Sequence, residues 1–72
     1  MHHFWGLRQG RNLILNEEES RHARSVLRLS DGELVRVLDG EGSAWEGPLQ
    51  FINKRDAMVA NALEVPNYGA VS

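Results

Sequence analysis

Leu34-Val35-Arg36-Val37-Leu38-Asp39-Gly40-Glu41-Gly42 is the stretch that decides the architecture of this chain. Its first five residues are dominated by branched aliphatics, and Arg36 alternates with Val35 and Val37, which is the signature of a strand. Asp39-Gly40-Glu41-Gly42 then reads as a reversal, because two glycines supply the positive φ that a tight turn requires. The return strand is expected over residues 43–53. Gly47-Pro48 inside it marks a bulge or an edge, since proline has no N–H to give to a ladder. Lys54-Arg55-Asp56 forms a second turn, and residues 57–65 form a third long strand.

Upstream, Phe4-Trp5 and Leu13-Ile14-Leu15 read as two short extended pieces, punctuated by Gly6, Gly10 and Asn12. Asn16-Glu17-Glu18-Glu19 opens a helix. Asn16 is suited to cap it, Glu19 stands where the reciprocal partner of a capping box belongs, and three carboxylates suit the positive end of the dipole. The helix is expected over residues 17–28, with His22, Ala23, Val26 and Leu29 on its apolar face and Leu27 at the edge. Ser30-Asp31-Gly32 ends it. The order is therefore β-β-α-β-β-β, a mainly β chain with one helix. A small closed or nearly closed barrel, capped by the helix, is the simplest way to hide its sheet edges. Residues 1–65 form the domain, and 66–72 a linker or the start of a further domain.

A chain of 72 residues holds one small domain. It contains no cysteine, which excludes a disulfide scaffold and any cysteine-based zinc site, and is compatible with a reducing, cytoplasmic setting. No apolar run approaches the roughly 20 residues of a membrane span, and the first residues lack the apolar core of a secretory signal. His2, His3 and His22 do not have metal-site spacing. His2-His3 fits either a native start or a tag remnant. No nucleophile–base set or glycine-rich nucleotide loop is present, so no catalytic, cofactor or metal residue is assigned within these residues.

The net charge of -2 conceals an asymmetry. Residues 8–28 carry five arginines against three glutamates; residues 29–72 carry three basic groups against seven acidic ones. Arg21, Arg24 and Arg28, at i, i+3 and i+7, share one helical face, with Glu17 placed to pair with Arg21. Arg24 and Arg28 repel each other at i, i+4, and an anion such as an RNA phosphate would convert that repulsion into binding. On charge alone, a solvated face is the simpler reading. His22, on the apolar face, is read first as a core histidine. Phe4, Trp5, Trp45 and Phe51 are read as core ahead of base-stacking platforms.

Taken in order, Phe4-Trp5, Glu18-x-x-x-His22, Val26-Leu27-Arg28, Gly32 and Val35-Arg36-Val37-Leu38-Asp39-Gly40-Glu41-Gly42 resemble the amino-terminal domain of the bacterial 16S ribosomal RNA uracil-N3 methyltransferases. The resemblance covers residues 2–65. Two details differ from that family's usual pattern: His2-His3 stand where arginine is common, and Asp31-Gly32-Glu33 replaces Gly-Asp. The resemblance implies a PUA-like barrel that recognises ribosomal RNA, with Arg28 and His22 at family-matched positions and Arg21 and Arg24 added from the helical wheel. His22 is then either an RNA contact or structural.

It also implies that the catalytic domain, a knotted SPOUT-type methyltransferase, lies in chain that follows. That domain would use S-adenosylmethionine and form a homodimer, and the intact enzyme would act on 16S rRNA or the small ribosomal subunit. These 72 residues alone would bind RNA without turnover. The competing reading is a non-catalytic protein-interaction or assembly barrel that uses its acidic second half.

Overall fold

The computed structural model describes residues 1–66 and residue 68. Among them are six strands: β1 (His2–Gln9), β2 (Asn12–Leu15), β3 (Leu34–Leu38), β4 (Ala44–Phe51), β5 (Ala57–Val59) and β6 (Leu63–Glu64). Helix α1 (Glu17–Arg21) runs directly into one turn of π-helix (His22–Val26) between β2 and β3. β1 pairs antiparallel with β2, β2 with β5, β5 with β4 and β4 with β3. β3 closes the ring by pairing parallel with β1. The outcome is the small closed barrel with one helical segment that the sequence and its resemblance lead one to expect. Residues 67 and 69–72, in the expected linker, lie outside the described residues.

Two eight-residue strands each serve two neighbours in the ring, β4 also pairing with β6, and each turns its corner at a glycine. β1 pairs with β3 through residues 2–5 and with β2 through residues 6–9. A Cβ on Gly6 would stand 2.7 Å from Val37 Cγ1 and 3.0 Å from the Ile14 carbonyl oxygen. β4 pairs with β3 through residues 44–48 and with β5 through 49–51; there a Cβ on Gly47 would meet Val59 Cγ1 at 2.5 Å. Glycine is therefore required at both corners by close approach of the neighbouring strands.

The expected long strand over 57–65 is broken in two. β5 faces residues 49–51 of β4 and β6 faces residues 45 and 46, so the interruption lies opposite Gly47 and Pro48. The Leu49 N–H donates to the Glu33 carbonyl, and the Leu49 carbonyl accepts from Gly32 N–H, on the β3 side. Backbone groups alternate along a strand, so Pro48 turns toward β5 and β6 with no N–H to offer. Released there, residues 60–62 bend toward the β1–β2 hairpin. Asn61, at φ 53°, donates its N–H to Asn12 Oδ1, and Ala62 N–H donates to the Arg11 carbonyl.

Phe4 from β1, Leu13 and Leu15 from β2, Val35 and Val37 from β3, Leu49 from β4 and Val59 from β5 fill the barrel. The alternation read from Leu34–Leu38 is real, with Val35 and Val37 inward and Leu34 exposed. The helical segment lies against this core through Ala23, Leu27 and Leu29. Ser20 is its one buried polar residue. Its Oγ donates to the Asn16 carbonyl at 2.8 Å and accepts the Ala57 N–H at 3.0 Å, which ties the helix to the start of β5.

The expected helical wheel requires correction. Regular helix stops at Arg21, and Leu27 N–H reaches back to the His22 carbonyl, an i→i−5 bond. The inward residues are Ser20, Ala23 and Leu27, whereas His22 is exposed and Val26 is 68% exposed. The wheel placed His22 and Val26 inward because it weighted their apolar character and assumed 3.6 residues per turn throughout; the small residues Ser20 and Ala23 allow closer approach to the barrel. The segment ends at residue 26 in place of 28. Arg28 takes the left-handed conformation, φ 53°, where glycine is usual, and Leu29 N–H bonds back to the Ala23 carbonyl.

The helix start is half as expected. Asn16 Oδ1 accepts Glu19 N–H at 2.7 Å. The Glu19 carboxylate does not return to Asn16; its Oε1 accepts the backbone N–H of Trp5 at 3.3 Å, so it staples the helix to β1.

Candidate functional site

The three helical arginines do not form one stripe. Arg24 leans over Phe51, its guanidinium carbon 4.4 Å from the ring centroid, and donates from Nη2 to the Asn53 carbonyl at 2.9 Å. Arg21 lines a different flank, a groove shared with Trp5, Asn16, Glu18, Glu19, His22, Ser25 and Val26. Arg28 stands at the left-handed end of the segment, exposed. Among the described residues no carboxylate pairs with any of the three, and Glu17 does not pair with Arg21; the ion pair present is Arg36–Glu46 in the β3–β4 ladder.

Arg24 brings a second basic element to its flank. The turn it touches is built by Asn53, whose Oδ1 accepts the N–H groups of Arg55 (2.7 Å) and Asp56 (2.9 Å). The Asn53 amide in turn donates to Asp56 Oδ2 at 3.0 Å. The one acid of this turn is thus engaged within it. Lys54 and Arg55 project from the same turn, exposed and without an ion pair among the described residues. Arg24 is therefore tied to the turn that carries Lys54 and Arg55, although far from it in sequence. In the sequence Lys54-Arg55 reads only as turn residues; nothing local to it reveals the partnership with Arg24.

Trp5 is the second residue whose position differs from expectation. Phe4 points inward at 1% exposure, and Trp5, next along β1, points outward at 55%. Period-two alternation at β1 carries this signal once Phe4 is taken as core. Trp45 is intermediate, packed on the core cluster, with Nε1 donating to Asp39 Oδ2 at 3.0 Å. Arg8 lies 5.4 Å above its ring.

Asp39 organises the turn that opened the sequence reading. Oδ1 accepts the N–H groups of Glu41 (2.8 Å) and Ser43 (3.2 Å), and Gly40 and Gly42 take φ 75° and 95°. Partial burial works against the ionised carboxylate, but the Trp45 indole, the two amides and the charge of Arg8 outweigh it, and the Asp39 carboxyl titrates below its ordinary value of 3.8.

Among the described residues no three His, Asp or Glu side chains come together as a metal site, and no helix is long and apolar enough to cross a membrane. The arrangement offers permanent cations on two flanks of the barrel, and an exposed aromatic ring with hydrogen-bonding groups beside one of them. Among the described residues no side-chain hydrogen bond sets a serine hydroxyl against a histidine.

Comparison with known proteins agrees with this picture. Residues 15–59 match the sequence family described as RNA methyltransferase PUA domain. Among solved structures, a predicted RNA methyltransferase from Thermotoga maritima superposes with a TM-score of 0.77 at 28% identity, covering 90% of this chain and 30% of that one. Ribosomal RNA small subunit methyltransferase E from Neisseria gonorrhoeae, bound to S-adenosylmethionine, gives 0.69 at 28% identity, covering 92% and 29%. The structure described as a probable rRNA-methyltransferase from Porphyromonas gingivalis gives 0.75 at 22% identity, covering 90% and 27%, a likeness of fold alone. No match appears among curated protein sequences. The chain thus spans less than a third of each of these structures.

Proposed function

Because the chain belongs to the RNA methyltransferase PUA domain family, we propose that it is the RNA-recognition domain of a ribosomal RNA methyltransferase. Residues 1–65 constitute that domain and 66–72 lead toward a catalytic domain. Likeness to the Neisseria small-subunit ribosomal RNA methyltransferase supports ribosomal RNA as the ligand; the resemblance in the sequence adds 16S rRNA, a homodimeric intact enzyme and a cytoplasmic setting. The resemblance in the sequence adds the reaction, transfer of a methyl group to N3 of a uridine. S-Adenosylmethionine would supply that methyl group from the following domain. Among the described residues the groove beside Trp5 is open to solvent and lacks the enclosure that a cofactor of this size requires.

The observation that carries the RNA-binding reading is the set of uncompensated arginines on a barrel of this family. Arg21 and Arg28 have no carboxylate partner among the described residues, and Arg24 is bonded to the turn that carries Lys54 and Arg55. Guanidinium forks suit phosphate oxygens, and release of counterions makes such binding steeply salt-dependent. His22, exposed beside Arg21, is available as a further contact.

The test is a titration of fluorescent 16S rRNA fragments at several salt concentrations. Arg21→Ala combined with Arg28→Ala is expected to weaken binding and to reduce the slope of log K against log salt by about two. Retention of full affinity and slope by the double variant rejects the arginine assignment. Failure of the unaltered chain to bind at low salt rejects the function and favours a protein-interaction barrel.

A further inference from the structure

We propose that Trp5 and the groove between it and the helical segment form a slot for an unpaired nucleobase of RNA. The inference rests on the RNA-binding reading above and adds to it a specific place and a specific part of the ligand.

The ring of Trp5 is large, apolar and more than half exposed, while its backbone is held within the sheet. It pairs with Leu38 in the β1–β3 ladder, and its N–H is bound by the Glu19 carboxylate. An outward-facing indole on a paired main chain suits base stacking, because the backbone of the platform loses little freedom when the base arrives. Concavities open on several sides of this ring. One, of about 720 Å³, lies toward the helical segment; another, of about 220 Å³, lies toward Gly40, Gly42 and Ser43.

The lining of the larger groove distinguishes base from phosphate. Glu18 and Glu19 place two carboxylates there against one permanent cation, Arg21. A phosphate there faces net negative charge and is compensated only beside Arg21. A base is neutral and carries N–H groups, so it gains where a phosphate loses. Trp5 and Val26 supply apolar faces, and Asn16, Glu18 and Ser25 supply acceptors and donors for the base edge. Arg21 is the one lining cation able to meet the attached phosphate. The cations Arg24, Lys54 and Arg55 lie on the other flank, where the continuing backbone would run. A fully paired helix hides its base faces, so the slot selects single-stranded or looped RNA.

The experiment is intrinsic fluorescence and anisotropy with three probes of equal length, about eight nucleotides: a single-stranded RNA, the same strand in a duplex, and its abasic ribose-phosphate counterpart. Trp45, committed to Asp39, reports that the fold is intact in every variant. The single strand is expected to quench Trp5, while the duplex and the abasic strand do not. Trp5→Ala should weaken single-strand binding about five-fold or more, and Trp5→Phe, which keeps a stacking face, should recover most of that loss. The salt slope should stay unchanged in both variants, because no cation is removed. Unaltered single-strand affinity in Trp5→Ala, or equal binding of the abasic strand, overturns the slot. If Arg21→Ala with Arg28→Ala still weakens binding in that case, the RNA-binding function stands without it. Protection of Trp5 from a collisional quencher in the RNA-free protein would show a protein surface in its place and also overturns the slot.

Discussion

The Asp39 carboxylate bridges its own turn and the strand beyond it, with Oδ2 accepting the Trp45 indole N–H at 3.0 Å while Oδ1 holds two amides. Asp39→Asn preserves the shape but sets an amide donor against the indole donor if Oδ1 is kept as acceptor. It should destabilise the chain by about 1–2 kcal/mol at neutral pH, measured by urea unfolding. The sign of the pH effect follows from the direction of the shift. The folded carboxyl titrates below the ordinary 3.8, so its stabilisation is complete above that value and is lost as pH falls through the lower, folded value. The gap between the parent and Asp39→Asn should therefore narrow below about pH 3.8.

Gly47 marks where β4 passes from one neighbour to the next, with Val59 directly beneath. Gly47→Ala should cost about 1–3 kcal/mol, since its Cβ falls 2.5 Å from a stiff, branched side chain. Combining it with Val59→Ala, which removes the offending methyl, should cost less than the sum of the single changes in a double-mutant cycle. Simple additivity would show that the strain lies elsewhere.

Ser20→Ala should destabilise by about 1–3 kcal/mol in thermal or urea unfolding, because the Ala57 N–H loses its buried acceptor. Hydrogen exchange at Ala57 should accelerate by more than exchange at Val35, since the helix-to-β5 tie opens locally. Equal acceleration at both amides would argue that Ser20 acts only through global stability.

Arg28→Gly separates conformation from charge. Glycine adopts φ 53° without the strain of a side chain, so the change should leave stability unaltered or raise it by up to about 1 kcal/mol. The RNA salt slope should fall by about one. A stable variant with an undiminished slope removes Arg28 from the interface.

The barrel was legible because its information is local. Val35 and Val37 alternate with Arg36, and Gly40 and Gly42 stand where φ must be positive. The break at residues 60–62 was not, since it depends on Pro48 in the opposite strand and on bonds to Arg11 and Asn12. The helix start was readable from Asn16, but the destination of Glu19 was not, because Trp5 N–H is remote in sequence. His22 and Val26 misled because apolar character was weighed without knowing that Ser20 and Ala23 allow closer contact. At the candidate site, Arg21, Arg24 and Arg28 were visible as charges. Their division between two flanks, and the bond from Arg24 to the turn that carries Lys54 and Arg55, are products of tertiary packing.

The order in which the ring is assembled has a bearing on synthesis. β5 is both the last of the five ring strands to leave the ribosome and the one that joins β2 to β4. A nascent chain halted before residue 57 is an open sheet with two bare borders, a template for sticking to its neighbours. One halted just after β6 has every piece needed to seal itself. Premature termination on either side of that short strand should thus yield two products of opposite fate, one lost to aggregates and one recoverable in the supernatant.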